Sequence, residues 1–197
     1  MKIVKSIDGE KMPTKINFGC GNNLLEDYLN IDSDTIINTN GENVWLVMGE
    51  LINPQVLPNN YFDVIESQMV FEHIHLDIVP SVIYTMSCLL KVEGFVHVTV
   101  PNFEYFAYNY PVNTCPDAKF GLSDLVYLRE ATFQLLDPML SNKNTTYRAH
   151  QSLWTPDMAN FWFRNEGFEV EFVTIKSPIL EFFATKKNKF SMALEVK

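Results

Sequence analysis

The sequence predicts an α/β fold built on a doubly wound, mostly parallel sheet. Short apolar runs alternate with amphipathic or turn-rich stretches from residue 15 to residue 101. A glycine turn follows the first of those runs, and a closing pair of strands is joined too briefly for a parallel crossover. The chain has 197 residues, 47% hydrophobic and 20% charged, which suits one core and predicts a single domain over 1–197. A formal net charge of -9 disfavours broad electrostatic binding to nucleic acid, because that mode uses lysines and arginines to displace counterions from phosphates. No apolar stretch approaches the ~20 residues that span a bilayer, and the opening MKIVKSIDGEKMPTK lacks the apolar centre of a secretory signal. The three cysteines are widely spaced and form no CxxC pair, so a reducing, cytoplasmic setting is expected.

Lys15 to Phe18 reads as the first buried strand, Tyr28 to Ile31 as the second and Asn43 to Met48 as the third, each ending in a polar or glycine-containing turn. Tyr61 to Ser67 is the fourth. In the following DIVPSVIYTMSCLLK, Ile78, Val82, Met86 and Leu89 recur at helical spacing, with Pro80 in the first turn where its missing N–H costs least. Gly94 is expected to stop that helix, before a β-branched strand from Phe95 to Val100 closed by Pro101. Residues 102 to 150 break the rhythm with an aromatic cluster, a Pro/Asn-rich loop, an amphipathic helix around Ser123 to Leu136 and the polar turn SNKNTTYRAH. They predict a cap-like insert. Thr155-Pro156-Asp157 then has the form of an N-cap with proline at the first helical position, and Gly167 ends that helix. Phe168 to Ile175 and Leu180 to Thr185 follow as antiparallel neighbours joined through Ser177-Pro178.

The ligand of a doubly wound sheet sits beyond the carboxyl ends of its strands, which places the turn Gly19-Cys20-Gly21 at the expected site. The turn departs from the dinucleotide fingerprint, for Leu24 replaces the third glycine and Asp32 lies closer than the usual ~20 residues. Between Gly21 and Tyr28 there is room for about two helical turns, so any helix there is short or irregular and serves a pyrophosphate poorly. This disfavours an NAD-dependent oxidoreductase. An adenosine ligand without phosphates asks for less: glycines that admit close backbone approach, and a carboxylate for the ribose hydroxyls. S-adenosyl-L-methionine is such a ligand.

The runs KINFGCGNNLLEDYLNID, FDVIESQMVFEHI, LLKVEGFVHVTVPN, HQSLWTPDM and FRNEGFEVEFV resemble the class I S-adenosylmethionine-dependent methyltransferases, in particular small stand-alone bacterial or phage-type members, over nearly the whole chain. The resemblance implies a Rossmann-like seven-stranded sheet with an antiparallel last strand. It also implies that Gly19, Cys20 and Gly21 line the methionine part of the cofactor and that Asp32 binds its ribose. Glu50 falls near the family's adenine contact, and Ser67 and Gln68 face the cofactor from the other side. LKVEGF stands where the family has a Pro-Gly-Gly turn. Asp32 also reads as an ordinary solvated residue at a strand end.

Glu72-His73-Ile74-His75 holds metal-ligand residue types, but it is not HExxH and its histidines do not share a helix face, so no metal site is expected. By the resemblance Glu72 supports the active-site loop. His97, inside FVHVTV, reads as a core or helix-facing residue. The aromatic run Phe103 to Tyr110 covers the sheet or meets an acceptor, and Tyr105 is its candidate acceptor contact. The expected function is methyl transfer to a small molecule (a sugar, nucleotide-sugar or metabolite), with His73 and His150 as candidate general bases and Arg148 as a clamp for an acidic acceptor group. The alternative is a protein of the same fold that binds the cofactor, or serves structurally, without catalysis.

Overall fold

The computed structural model describes residues 2–5, 11–32, 45–48, 57–105 and 151–187. Among the described residues eight strands form one mixed sheet: β1 (Lys2–Lys5), β2 (Lys15–Phe18), β3 (Leu29–Asp32), β4 (Trp45–Met48), β5 (Phe62–Gln68), β6 (Leu90–Pro101), β7 (Phe168–Thr174) and β8 (Ile179–Lys186), in the order β1-β4-β3-β2-β5-β6-β8-β7. β2 through β6 are mutually parallel, while β8 runs antiparallel between β6 and β7. The expected closing hairpin is therefore present. The count of seven strands is exceeded by β1, which pairs antiparallel with β4; its four residues, KIVK, are too short a run to announce a strand by periodicity.

Helix α1 (Val79–Leu89) and helix α2 (Pro156–Asn165) touch each other and pack on one face of the sheet. Val96, Val98 and Val100 of β6 and Leu180, Phe182 and Ala184 of β8 point toward that face and are fully buried, as the period of two requires. Phe163 of α2 is the aromatic centre, with its ring 5.2 Å from Phe182, 5.6 Å from Phe168 and 5.7 Å from Phe71. The Thr155 side chain caps α2 by accepting the Met158 N–H at 3.2 Å. Gly167, at φ +81°, turns the chain out of it.

Gly94 does not stop α1. The helix ends at Leu89, and Gly94 lies inside β6 where the register with β5 shifts. A Cβ there would stand 3.0 Å from the Lys91 carbonyl and 3.1 Å from that of Asp63, so a side chain would press on the backbone of β6 and of its neighbour β5. His97 lies on the face away from α1 and α2, its side chain 17% exposed. Its ring is stacked on Phe183 at 4.5 Å, between Glu66 (2.7 Å) and Glu181 (3.0 Å).

The carboxyl end of α1 is closed by a residue about a hundred positions away in sequence, on the strand next to β6. Lys186, 3% exposed, donates to the carbonyls of Ser87 (2.6 Å) and Leu90 (2.7 Å) and to the Asn60 side chain (3.1 Å). An ammonium here meets orphan carbonyls and the negative end of the helix dipole together. Lys186→Met is expected to lower unfolding free energy in urea by about 2 to 3 kcal/mol, because buried acceptors lose their donor. The neighbouring exposed Lys187→Met is expected to leave the midpoint unmoved.

Candidate functional site

The strand order reverses between β2 and β5, so a crevice opens past their carboxyl ends. Three segments meet there: the glycine turn after β2, the tip of β3, and a 3-10 turn (Phe71–His73) that follows β5. Gly19 and Gly21 both have positive φ, +67° and +49°. Their surroundings differ. A Cβ on Gly19 would lie 2.5 Å from Val70 Cγ2, whereas one on Gly21 would have nothing within 4 Å. Gly19 is thus required by packing against the β5 side, and Gly21 leaves backbone open to an approaching molecule.

The turn is tied to β3 at several points. Gly19 and Cys20 N–H groups donate to the Ile31 carbonyl at 2.8 and 3.1 Å, and the Gly21 N–H donates to Asp32 Oδ2 at 2.7 Å. Cys20 is buried, and burial followed by the nearby Asp32 charge pushes its thiol up to about 12, so it is neutral and inert at physiological pH. Residues 21 to 28 form turns with no helix at all. Two buried amides do the bracing instead. Asn30 Oδ1 accepts from Leu25 N–H at 2.9 Å and its amide returns a bond to the Leu25 carbonyl at 3.0 Å. Asn17 bridges the Asn23 carbonyl (2.7 Å) and Asn30 (2.9 Å). Sequence reading passed over both; the signal was an asparagine inside each of two short apolar strands.

On the β5 side, Ser67 is fully buried with no hydrogen-bond partner for its hydroxyl among the described residues, and Gln68 is exposed. Met69 follows at φ +54° and 42% exposed, a left-handed conformation unusual for a long side chain. The 3-10 turn is held by the segment entering α2. Gln151 and Ser152 N–H groups donate to the Glu72 carbonyl at 2.6 and 3.1 Å, Ser152 Oγ donates to the Phe71 carbonyl at 2.8 Å, and Trp154 Nε1 donates to Ser152 Oγ at 2.9 Å. Asn102, past the tip of β6, bridges to Trp154. The Tyr105 N–H donates to the Asn102 side chain at 3.3 Å, which puts Tyr105 on the same edge. His73 stands beside Glu72, while His75 pairs with exposed Asp77 at 3.3 Å. Glu50, Arg148 and His150 lie outside the described residues, as does most of the 102–150 insert.

Glu72 is the unusual group. It is 1% exposed and neither carboxyl oxygen has a hydrogen-bond partner among the described residues. Burial pushes its carboxyl up to about 7, opposed in part by its own backbone N–H.

This arrangement belongs to a known fold. The chain is similar to a SAM-dependent methyltransferase from Archaeoglobus fulgidus, with a TM-score of 0.56 at 14% identity over 89% of this chain and 87% of that one. A SAM-dependent methyltransferase from Methanosarcina mazei gives 0.57 at 13% over 89% and 92%. A SAM-dependent methyltransferase from Thermotoga maritima, described as a possible histamine N-methyltransferase, gives 0.57 at 12% over 88% and 81%. No protein-family model and no curated protein matches the sequence. The α/β fold is that of the class I S-adenosylmethionine-dependent methyltransferases, as the sequence resemblance implied.

Two outcomes test the site's construction. Gly19→Ala is expected to destabilise strongly through its clash with Val70, and Val70→Ala to recover part of the loss in the double variant. Gly21→Ala is expected to cost only the ~1 to 2 kcal/mol of a left-handed non-glycine residue; denaturant titration of the four proteins measures this. The second outcome concerns pH. From 4.5 to about 7 the unfolded chain has lost the Glu72 proton and the folded chain keeps it. This contribution to stability, full below pH 4.5, is therefore lost as pH rises through about 7. Glu72→Gln is expected to remove that decline, gaining roughly 2 to 3 kcal/mol on the parent between pH 5 and pH 8 in denaturation curves.

Proposed function

We propose that the chain is an S-adenosylmethionine-dependent methyltransferase acting on a small-molecule acceptor, the hydroxyl or amine of a sugar, nucleotide-sugar or metabolite. The observation that carries the reading is the glycine turn at the switch point, where Gly21 has open space above it and is bonded through its N–H to Asp32. In this reading Gly19, Cys20 and Gly21 form the wall beside the methionine moiety, Asp32 takes the ribose, and Glu50 lies toward the adenine. Ser67 and Gln68 close the crevice from the β5 side, Gln68 with an exposed side chain. The lack of a helix in residues 21 to 28 supports a ligand without a pyrophosphate, since no helix N-terminus in that loop faces one.

When bound, the cofactor supplies a methyl group already activated by its sulfonium. The protein's task is then alignment, exclusion of water and removal of one proton. Tyr105 and Arg148 serve the acceptor side, residues 102 to 150 form the cover over it, and His73 and His150 are the proton acceptors. Titration calorimetry with S-adenosylhomocysteine tests the reading directly. Asp32→Ala is expected to weaken binding by about 1.5 to 3 kcal/mol through a lost charge-assisted hydrogen bond, and Gly21→Val to abolish it. Failure of the unmodified protein to bind would end the proposal. Binding without turnover across a panel of hydroxyl and amine acceptors would leave only the cofactor site.

A further inference from the structure

Stability does not explain Glu72. A carboxyl buried to 1% exposure without a hydrogen-bond partner among the described residues destabilises its surroundings, and a glutamine or an apolar residue of similar size would cost less. Its position is also tightly specified. The 3-10 turn that carries it packs Phe71 against Trp154, ring centroids 5.2 Å apart, and its carbonyls at residues 71 and 72 accept three hydrogen bonds from Gln151 and Ser152. Strand β5 delivers that turn to the switch-point crevice. The group that Glu72 faces is His73: Oε1 lies 3.9 Å from Nε2, and the His73 side chain is 28% exposed.

We propose that Glu72 is a positioning residue for His73, its carboxylate holding the imidazole and stabilising the protonated ring as His73 takes the acceptor's proton. The inference rests on the methyltransferase reading. In the step it describes, the acceptor's O–H or N–H proton passes to the imidazole, the electron pair so released bonds to the methyl carbon as that carbon's bond to sulfur breaks and its pair leaves on the sulfur, and the proton leaves His73 for water. Glu72 stays covered throughout and supplies only charge. A carboxyl raised toward neutrality suits that task, because it ionises in the range where an imidazole gains its proton.

Other charges are absent from this corner among the described residues. The segment Gln151 to Thr155 has no titratable side chain. Glu66 of β5 and His97 of β6 pair with each other on the opposite face of the sheet. On the loop to α1, His75 is paired with Asp77; at the start of α2, Asp157 is exposed; on β3, Asp32 is bonded to Gly21. Among the described residues, His73 is the titratable side chain in contact with Glu72.

The test is an NMR titration of the His73 ring in the full chain, which needs neither cofactor nor acceptor. In Glu72→Gln the His73 midpoint is expected to fall by about one pH unit, as for a lost carboxylate neighbour. Affinity for S-adenosylhomocysteine should be unchanged and stability at pH 8 not reduced. Where turnover is measurable, kcat should fall ~10-fold or more at constant KM, with the acidic limb of its pH profile displaced downward by the same interval. An unmoved His73 midpoint in a folded Glu72→Gln protein overturns the proposal. Should that variant not fold, the parent protein decides: the His73 shift must show a second inflection as Glu72 titrates, and a single inflection overturns the pairing. If the parent fails to bind S-adenosylhomocysteine, the methyltransferase reading falls by itself, while the titration still decides whether the two residues are coupled.

Discussion

Asn30 is the constraint on which the carboxyl edge of the sheet depends. It sits inside a four-residue parallel strand, fully buried, where an apolar residue would be ordinary. Its amide satisfies both the N–H and the carbonyl of Leu25, and so replaces the backbone ladder that a helix would have given the loop. Two residues further along the same strand face, Asp32 holds Gly21. Both ends of the loop are thus gripped by one edge of β3, with Asn17 of β2 bridging between them. A sheet that grips the loop this way has no use for the helix of a dinucleotide fold.

The second anchor is at the other side of the crevice. Asn102 ends β6, bridges to Trp154, and bonds the turn between β7 and β8 through the carbonyls of Ile175 (2.6 Å) and Ser177 (3.1 Å). Gln151 and Ser152 are fastened to the 3-10 turn. Residues 102 and 151 therefore lie at the same carboxyl edge, within one hydrogen-bonded neighbourhood.

Much of the architecture was legible because β-branched runs, a proline-led helix and a capped second helix each carry a local signal. Thr155, Pro156 and Gly167 act in the structure as their sequence positions imply. What escaped were features set by distant partners. Gly94 reads as a helix stop by its neighbours, yet it lies within β6 beside the close-approaching backbone of β5. His97 reads as core within FVHVTV, yet it finds carboxylates on two other strands. Of the site, the glycine turn and Asp32 could be found from spacing, and the structure brings them together. The burial of Glu72 could not, since its neighbour in space, Ser152, is eighty residues away in sequence. No local pattern records that.

The place of β8 has a consequence for how the chain comes together. β8 is the latest described strand, but it lies between β6 and β7 and carries Lys186, which closes the end of α1. β6 must wait with an open edge until the β7–β8 hairpin has formed and can dock as a unit. During synthesis, the parallel strands emerge well before the element that completes them. The interval exposes the edge of β6, with Val96, Val98 and Val100 along one of its faces, and makes folding slow relative to a sheet assembled in chain order. The acidic residues Glu169 and Glu171 along the outer strand of that hairpin discourage a second molecule from taking the edge that remains once it has docked.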